Sequence, residues 1–503
     1  MTVGVDQAVS VNAAVPGLLF LGDPGPGGSR QTVAPAAEIV FDPAGGADQL
    51  AAAAWWVILE PEVWLEPHAV AAFAEFIEDL PDDVTAFYCD FLERSHADLR
   101  HHMIGGWSPE RFLWQDYTGK VAVVRADVLA AEVASADLRR AALRAAASGD
   151  VRYLPKTLYS VPFGDLVPTT GEAERAALMA RRSVPYDIEI RADGVHRTPI
   201  DPVKVSIVIP TRGTVAKGRE GRVRLVDNLL EHLTATTDLP PEIVLVLDAD
   251  GDVDFVAQWR RRLGDSLKVV ETPGPFNFSV KVNAGAEAAS GDVIVFLNDD
   301  IEPISDDWLS NVVALALEPD VGAVGALLFY EDGTIQHAGQ YFARSGVHHV
   351  DVGEIPSNSD RNRSAVDRDV TGVTGACLAQ RAEVWRELGG FDPMLPSSFN
   401  DVDYCMRIRR HGYRIVQCNS ARLFHFESKS RNEVTPAGFA RLMHTRWADD
   451  WLREDDLSPD RRDPNDIRQP KGERIAKARG IYREQGASGL FTAVRKRVAG
   501  RNS

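Results

Sequence analysis

This chain of 503 residues has only four cysteines, no long apolar run and no excess of positive charge. The four cysteines show no Cys-x-x-Cys spacing, which indicates buried thiols in a reducing compartment rather than disulfides or a zinc site. The longest uninterrupted apolar stretch, Ala51 to Leu59, is too short to cross a bilayer, and no basic, apolar and small-residue leader opens the sequence. These absences favour a cytoplasmic protein.

The balance of charge and apolar residues narrows the class of protein further. A formal net charge of −18 argues against nucleic acid as a partner, and the 45% hydrophobic and 25% charged fractions are typical of a globular chain of two or three domains. Only the final segment, Lys471 to Ser503, is basic. It is either a helix resting peripherally on the inner, anionic face of the cell membrane or a solvated tail.

Short apolar runs alternate with helical patterns in the middle of the chain, after a loose, charged connection at residues 191–202. This alternation predicts an α/β fold whose mostly parallel sheet has helices on both faces. The predicted strands are Val205 to Ile209, Ile243 to Leu247, Leu267 to Val270 and Val293 to Leu297. The predicted helices are Arg224 to Leu233, Asp252 to Leu263, one capped by Ser279 and running to Ala289, and Asp403 to His411.

Polar side chains follow several of these strands at their carboxyl ends, where open α/β sheets bind ligands. Thr211 and Arg212 follow the first strand, Asp248 follows the second, and Asn298-Asp299-Asp300 follows the last. Hard oxygen ligands suit Mg²⁺ or Mn²⁺ holding a diphosphate. Taken alone, the acidic triplet is equally compatible with a plain strand-to-turn junction.

An ordered set of short motifs between Lys204 and Arg431 resembles the family-2 glycosyltransferases of GT-A fold, which move a sugar from a nucleotide diphosphate onto an acceptor. The motifs are Val205 to Thr211, Phe276 to Ser279, Asn283 to Gly285, Asn298 to Asp300, Thr374 to Ala376, Gly389 to Asp392, Asn400 to Asp403 and His425 to Ser428. The resemblance therefore implies a doubly wound mixed sheet and a transferase.

By that resemblance, the nucleotide sugar is bound by residues from the first half of the motif set: Thr211, Arg212, Asp248, Lys281, Asn283 and Asp299. The metal ligands it implies are Asn298, Asp300 and His425. Asn298 departs from the family's Asp-x-Asp pattern, because an amide keeps an oxygen ligand but loses a charge. The alternative interpretation of His425 is a histidine of the core that binds no metal.

The same resemblance places proton abstraction on Asp401, at the start of a predicted helix whose N-terminus favours a carboxylate. Asp403 and Gly375 are assigned to the acceptor side, with structural support as the alternative for Asp403. From the residues alone, Asp401 and Asp403 could equally cap the helix.

The chain before Arg191 contains a degenerate second copy of the strand and motif pattern described above. Val57 to Glu62 parallels Val295 to Asp300, Thr118 to Arg125 parallels Thr374 to Arg381, and Ser160 falls where the second copy has His425. The sequence thus predicts a degenerate, truncated domain over 1–190, a catalytic GT-A domain over 200–432 and a helical, basic tail over 433–503. Independent catalysis is not expected in the first copy.

The leading hypothesis is an inverting, metal-dependent enzyme acting on a cell-envelope glycan or its lipid-linked precursor. The tandem arrangement is similar to bacterial enzymes of the rhamnosyltransferase type that build surface polysaccharides. One alternative is a nucleotidyltransferase, which would need a glycine-rich phosphate loop with a basic residue after the first strand; Thr211 to Gly213 meets this requirement only weakly. The other alternative is a non-catalytic sugar-nucleotide scaffold or sensor.

Overall fold

A computed structural model describes residues 15–447 of the protein, apart from gaps at 22–30, 32–33, 96–98, 136, 147–149, 165–169, most of 171–183, 192–193, 219–220, 237, 249–253, 344–345 and 427–436. The described residues fall into two compact units divided after residue 183. Of the helical, basic tail predicted over 433–503, the structure describes residues 437–447, and the basic segment Lys471 to Ser503 lies outside the described residues. Within them, no helix is long and apolar enough to span a bilayer.

The first unit is a mixed sheet flanked by short helices. Its strands are β1 Gly17–Phe20, β2 Glu38–Val40, β3 Trp55–Leu59, β4 Trp64–Leu65, β5 Val84–Arg94, β6 Leu99–His102, β7 Val121–Arg125 and β8 Asp150–Pro162. Its helices are α1 Ala69–Glu78, α2 Pro109–Trp114, α3 Ala126–Ala130 and α4 Leu138–Ala146. The strand order is β2-β1-β3-β7-β5-β8-β4, and β6 pairs with β5.

The second unit contains a larger mixed sheet and three hairpins. The hairpins are β9 Tyr186–Arg191 with β10 Gly194–Pro199, β12 Val215–Gly218 with β13 Gly221–Arg224, and β20 Gln340–Ala343 with β21 Gly346–His349. The sheet strands are β11 Val205–Thr211, β14 Glu242–Asp248, β15 Leu267–Thr272, β16 Val293–Leu297, β17 Ile301–Pro303, β18 Val321–Phe329, β19 Ile335–His337, β22 Arg368–Asp369, β23 Cys377–Arg381 and β24 Arg414–His425. The helices are α5 Leu225–Thr236, α6 Val256–Leu263, α7 Phe278–Ala288, α8 Trp308–Ala316, α9 Ala382–Leu388, α10 Asn400–Arg410 and α11 Ala437–Arg446.

The predicted mixed α/β fold is confirmed. The sheet order is β15-β14-β11-β16-β23-β18-β24-β17, in which β15, β14, β11 and β16 are parallel and β23 pairs antiparallel with β16 and β18. Helix α7 lies so close to this sheet that position 285 requires glycine. A Cβ on Gly285 would lie 2.4 Å from Val208 and 2.7 Å from Val246. The four cysteines are buried without disulfides, as predicted.

Two local predictions were wrong. The side chain of Asn277, not Ser279, caps α7 by accepting the Val280 N–H at 3.1 Å, and Ser279 lies inside the helix. The connection predicted at residues 191–202 instead contributes to the hairpin β9–β10. This hairpin is held down by the buried guanidinium of Arg197, which lies 2.7 Å from Asp367, a long-range contact that local composition does not encode.

The two units share one strand order when β15 is set aside, and each corresponding pair of strands has the same direction. In the β5–β8 and β18–β24 ladders, Asp150 corresponds to Arg414 and Ser160 to Phe424. Val161, not Ser160, therefore corresponds to His425, and the predicted equivalence was wrong by one residue. Sequence similarity alone could not place the register shifts inside both ladders.

Helix α11 packs onto α10 through a small apolar cluster that contains Met443, Trp447, Val402 and Met406. Beside this cluster, the fully buried carboxylate of Asp403 accepts hydrogen bonds from Arg446 at 2.7 Å, the Trp447 indole at 3.0 Å and Arg407 at 3.1 Å. A buried carboxylate is tolerated only when it is paired in this way. Asp403 therefore fastens α11 to α10, the helix that carries Asp401.

Replacing Trp447 tests this fastening. We expect Trp447→Ala to lower the free energy of unfolding by about 3–5 kcal/mol, because it removes a buried aromatic side chain and a donor to Asp403. Trp447→Phe, which keeps most of the volume, should lose only about 1 kcal/mol. Urea unfolding followed by circular dichroism measures both, and equal losses would contradict the packing argument.

Candidate active site

A cavity of about 520 Å³ lies at the carboxyl ends of β11, β14 and β16, within the size range of small-molecule sites. It brings together ten of the predicted site residues: Thr211, Arg212, Asp248, Lys281, Asn298, Asp299, Asp300, Gly375, Asp401 and His425. Other side chains of its lining, including Phe276, Phe278, Thr374 and Phe399, were not predicted. The parallel strand ends account for one wall, and β24 and α10 supply the other.

One side of the cavity carries two cations around a buried carboxylate. The Lys281 Nζ lies 2.8 Å from Asp248, and the half-exposed Arg212 lies 3.4 Å from the other oxygen of the same carboxylate. Burial lowers the pKa of Lys281, although Asp248 opposes this shift. Thr211 donates a hydrogen bond to Asp299 at 2.6 Å. This side therefore offers fixed polar groups and positive charge to a nucleotide.

We call the residues predicted to bind the metal, Asn298, Asp300 and His425, the metal corner. It is built by the antiparallel pairing of β17 with β24, which sets Ile301 opposite His425. The His425 Nε2 lies 3.2 Å from the Asp300 carboxylate, and its Nδ1 lies 2.7 Å from the Gln336 side-chain oxygen. Because an amide oxygen only accepts, this assignment puts the proton on Nδ1 and turns the Nε2 lone pair toward Asp300. A cation held by both residues fits that arrangement.

The donor set at this corner is small. It offers one carboxylate, one imidazole and the side-chain oxygen of Asn298, which also lines the cavity. Among the described residues, no group of three or more histidine, cysteine, aspartate and glutamate side chains is arranged to hold a metal ion. The residues thus fit a divalent ion whose remaining ligands are oxygens of a bound diphosphate or water.

Asp401 stands in the first turn of α10 and faces a backbone loop across the cavity. Its carboxylate accepts the Gly375 N–H at 3.1 Å and the Val402 N–H at 2.8 Å. Phe399, the residue directly before α10, has a φ of 61°. This left-handed conformation is strained for a bulky residue and turns the chain into the helix. A carboxylate has about four lone-pair sites, so Asp401 keeps capacity to accept a proton.

Two of the predicted site residues are not part of the cavity lining. Asn283 exchanges two hydrogen bonds with the backbone of Phe391, at 2.8 and 2.9 Å, and so ties α7 to the loop before α10. Asp403 points into the α11 contact described above. Both residues support the site from behind, which sequence spacing could not distinguish from direct contact.

Sequence reasoning missed the residues of β19 that hold the site from outside. Gln336 fixes the ring of His425, and the buried His337 accepts the Thr374 N–H at 3.3 Å through its Nε2. The Nδ1 of His337 lies 2.8 Å from Nδ1 of His349. Burial lowers the pKa of His337, which keeps the ring neutral and able to accept. The only available signal was that these two polar residues follow Ile335 directly, and the strand they form is only three residues long.

Comparison with known proteins places this site in a family. Residues 202–449 match the family described as glycosyltransferase-like family 2. The chain is 34% identical over 259 residues to the uncharacterized protein y4gI of Sinorhizobium fredii, with 48% of this chain and 27% of the relative covered. It is 28% identical over 395 residues to the O-antigen biosynthesis protein RfbC of Myxococcus xanthus, with 74% and 31% covered. The chain thus spans about a third or less of either relative's length.

A shorter relative is N-acetylglucosaminyl-diphospho-decaprenol L-rhamnosyltransferase of Mycobacterium tuberculosis, at 24% identity over 44% of this chain and 77% of the relative. Among solved structures, GalNAc-T7 with UDP, GalNAc and Mn²⁺ aligns at 15% identity over 51% of this chain and 50% of that chain, with a TM-score of 0.41. The mannosyltransferase PcManGT from Pyrobaculum calidifontis aligns at 16% identity over 62% and 90%, with a TM-score of 0.36. Family membership follows from the sequence match alone, which contains every residue of the cavity lining: through residues 202–449, the chain belongs to the family described as glycosyltransferase-like family 2.

Proposed function

We propose that the second unit is an inverting, divalent-metal-dependent glycosyltransferase that moves a sugar from a nucleotide diphosphate onto a cell-envelope glycan or its lipid-linked precursor. The observation that carries this proposal is the single cavity shared by Asp401 and the Asp300–His425 pair. A proton acceptor and a cation site on one cavity are the two requirements of such a displacement.

In the proposed reaction, an acceptor hydroxyl attacks the anomeric carbon of the donor sugar as the bond to the diphosphate breaks. The hydroxyl proton passes to the Asp401 carboxylate, which the Gly375 N–H orients toward the cavity. Asp300, His425 and Asn298 would hold Mg²⁺ or Mn²⁺, which when bound neutralises charge on the leaving diphosphate. Arg212 and Lys281 flank Asp248 on the nucleotide side.

The relatives support the class of acceptor. One is named for O-antigen biosynthesis and another as an L-rhamnosyltransferase of N-acetylglucosaminyl-diphospho-decaprenol. A deoxyhexose or furanose donor and a polyprenyl-linked acceptor are therefore the substrates to test first. Peripheral contact of the basic segment Lys471 to Ser503 with the inner face of the membrane would bring such an acceptor within reach.

Substitution of Asp401 tests the proton acceptor. We expect Asp401→Asn to lower kcat by about 10²–10⁴-fold while the donor Kd changes by less than about threefold, because the amide keeps the shape but does not take up the proton. Transfer from nucleotide sugars and donor binding by calorimetry measure the two quantities. The exposed Asp265→Asn is the matched control.

Unchanged turnover in Asp401→Asn would remove this residue from the mechanism. Donor binding without turnover in the unaltered protein, over a panel of nucleotide sugars and acceptors, would instead favour a sugar-nucleotide sensor or scaffold. The substitution of an aspartate of the family pattern by Asn298 is the observation that favours this second candidate.

The metal corner is tested through Gln336, which touches His425 but does not line the cavity. We expect Gln336→Leu to weaken Mn²⁺ binding by about 10–100-fold, because the imidazole loses the partner that fixes its ring and tautomer. Saturating Mn²⁺ should restore most of kcat. Mn²⁺ titration by electron paramagnetic resonance, with nucleoside diphosphate present, provides the measurement.

The exposed Gln258→Leu serves as the control for that change. Equal Mn²⁺ affinity in Gln336→Leu and the control would show that His425 is not a ligand that Gln336 orients.

A further inference from the structure

The first unit repeats the strand order of the second, so each active-site position has a counterpart there. In the shared register, Glu60 and Glu62 correspond to Asn298 and Asp300, and Thr118-Gly119 corresponds to Thr374-Gly375. Helix α4 corresponds to α10, which matches Asp137 with Asp401 and Arg139 with Asp403. The acidic character of the corner is therefore kept, whereas His425 is replaced by Val161.

The decisive difference is the side chain of Arg139, which is 3% exposed and occupies this corner of the first unit. Its guanidinium donates to Glu60 at 2.5 Å, to the Thr118 hydroxyl at 3.1 Å and to the buried carboxylate of Asp116. Arg140 adds a second donor to Asp116 at 2.9 Å. A cation thus already touches the side chain at the strand end where the second unit has Asn298.

The charges of this cluster depend on one another. Burial alone would raise the pKa of Asp116, but Arg139 and Arg140 hold it below its usual value. The pKa of Arg139 lies above its ordinary value because Asp116 and Glu60 outweigh its burial. The cluster is a closed charge network in which each buried ion is paired.

The space next to the cluster is also filled. The hydroxyl of Tyr159 packs against the Gly119 backbone and accepts the Lys120 N–H at 3.0 Å. Tyr159 corresponds to Leu423 in the second unit, where Gly375 lines the open cavity. The residues present in the first unit therefore do not fit a metal ion with a bound diphosphate.

We propose that the Arg139 guanidinium permanently takes the cation position of the first unit, so that this unit binds neither a divalent metal nor a nucleotide sugar. Any donor site among the described residues then lies in the second unit, and the first unit is a folded body stabilised by its own internal cation. This inference goes beyond the proposed function of the second unit and does not depend on it.

The stoichiometry of Mn²⁺ binding tests the proposal in the full chain. With nucleoside diphosphate present, electron paramagnetic resonance should count one Mn²⁺ per unaltered chain and none in Asp300→Ala. Two ions per unaltered chain, or one ion retained in Asp300→Ala and lost in Glu60→Gln, would overturn the proposal. If neither the unaltered chain nor Asp300→Ala bound Mn²⁺, the proposed function of the second unit would be overturned. That result would still agree with a first unit that binds no metal.

Hydrogen exchange on the full chain tests the structural role of the guanidinium. Arg139→Met leaves Glu60 without its cation and Asp116 with Arg140 alone, so peptides covering 109–125 and 138–146 should exchange at least about a hundredfold faster. Arg125→Met, which removes an exposed pair with Asp127, is the matched control and should change exchange by less than about fivefold.

The triple change Glu60→Gln, Asp116→Asn and Arg139→Met removes all three charges together and should restore most of the lost protection. Unchanged exchange in Arg139→Met alone would show that the guanidinium does not hold the corner, and the proposal would fail.

Discussion

The contact between Asp300 and His425 is the constraint on which the site depends, and it is made by strand pairing rather than by sequence proximity. Strand β17 is only three residues long, yet its antiparallel register with β24 sets Ile301 opposite His425 and so fixes the carboxylate beside the imidazole. Gln336 then selects the tautomer that turns Nε2 toward Asp300. One short strand therefore determines where this carboxylate and this imidazole meet.

The opposite wall of the cavity comes from a different part of the sheet and is held by different forces. Asp401 is oriented by the Gly375 N–H, and the Thr374-Gly375 loop is itself held by His337. Two residues further along α10, Asp403 fastens the helix to α11 through Arg446 and Trp447. The Asp300–His425 pair and Asp401 are thus positioned independently, each by buried polar contacts outside the cavity.

The sequence predicted the parallel half of the sheet well because buried strands such as Val293–Leu297 combine an apolar run with a polar exit, a local signal. It predicted half of the cavity lining, and only through the resemblance of ordered motifs. It could not separate Asn283 and Asp403 from residues that face the cavity, because side-chain direction there is decided by partners about 110 and 40 residues away. For the same reason, the sequence did not predict the roles of Gln336 and His337 or the hairpin β9–β10.

The two units show how one topology can carry opposite electrostatics at the same place. In the second unit the Asp300 carboxylate faces the His425 Nε2, whereas in the first unit the Arg139 guanidinium contacts Glu60 at the corresponding strand end. The most direct test of this account is the anomalous scattering of Mn²⁺ in crystals of the full chain grown with a nucleoside diphosphate. We expect a single peak within coordination distance of Asp300 and His425. A peak beside Glu60, or one that touches neither Asp300 nor His425, would contradict the account.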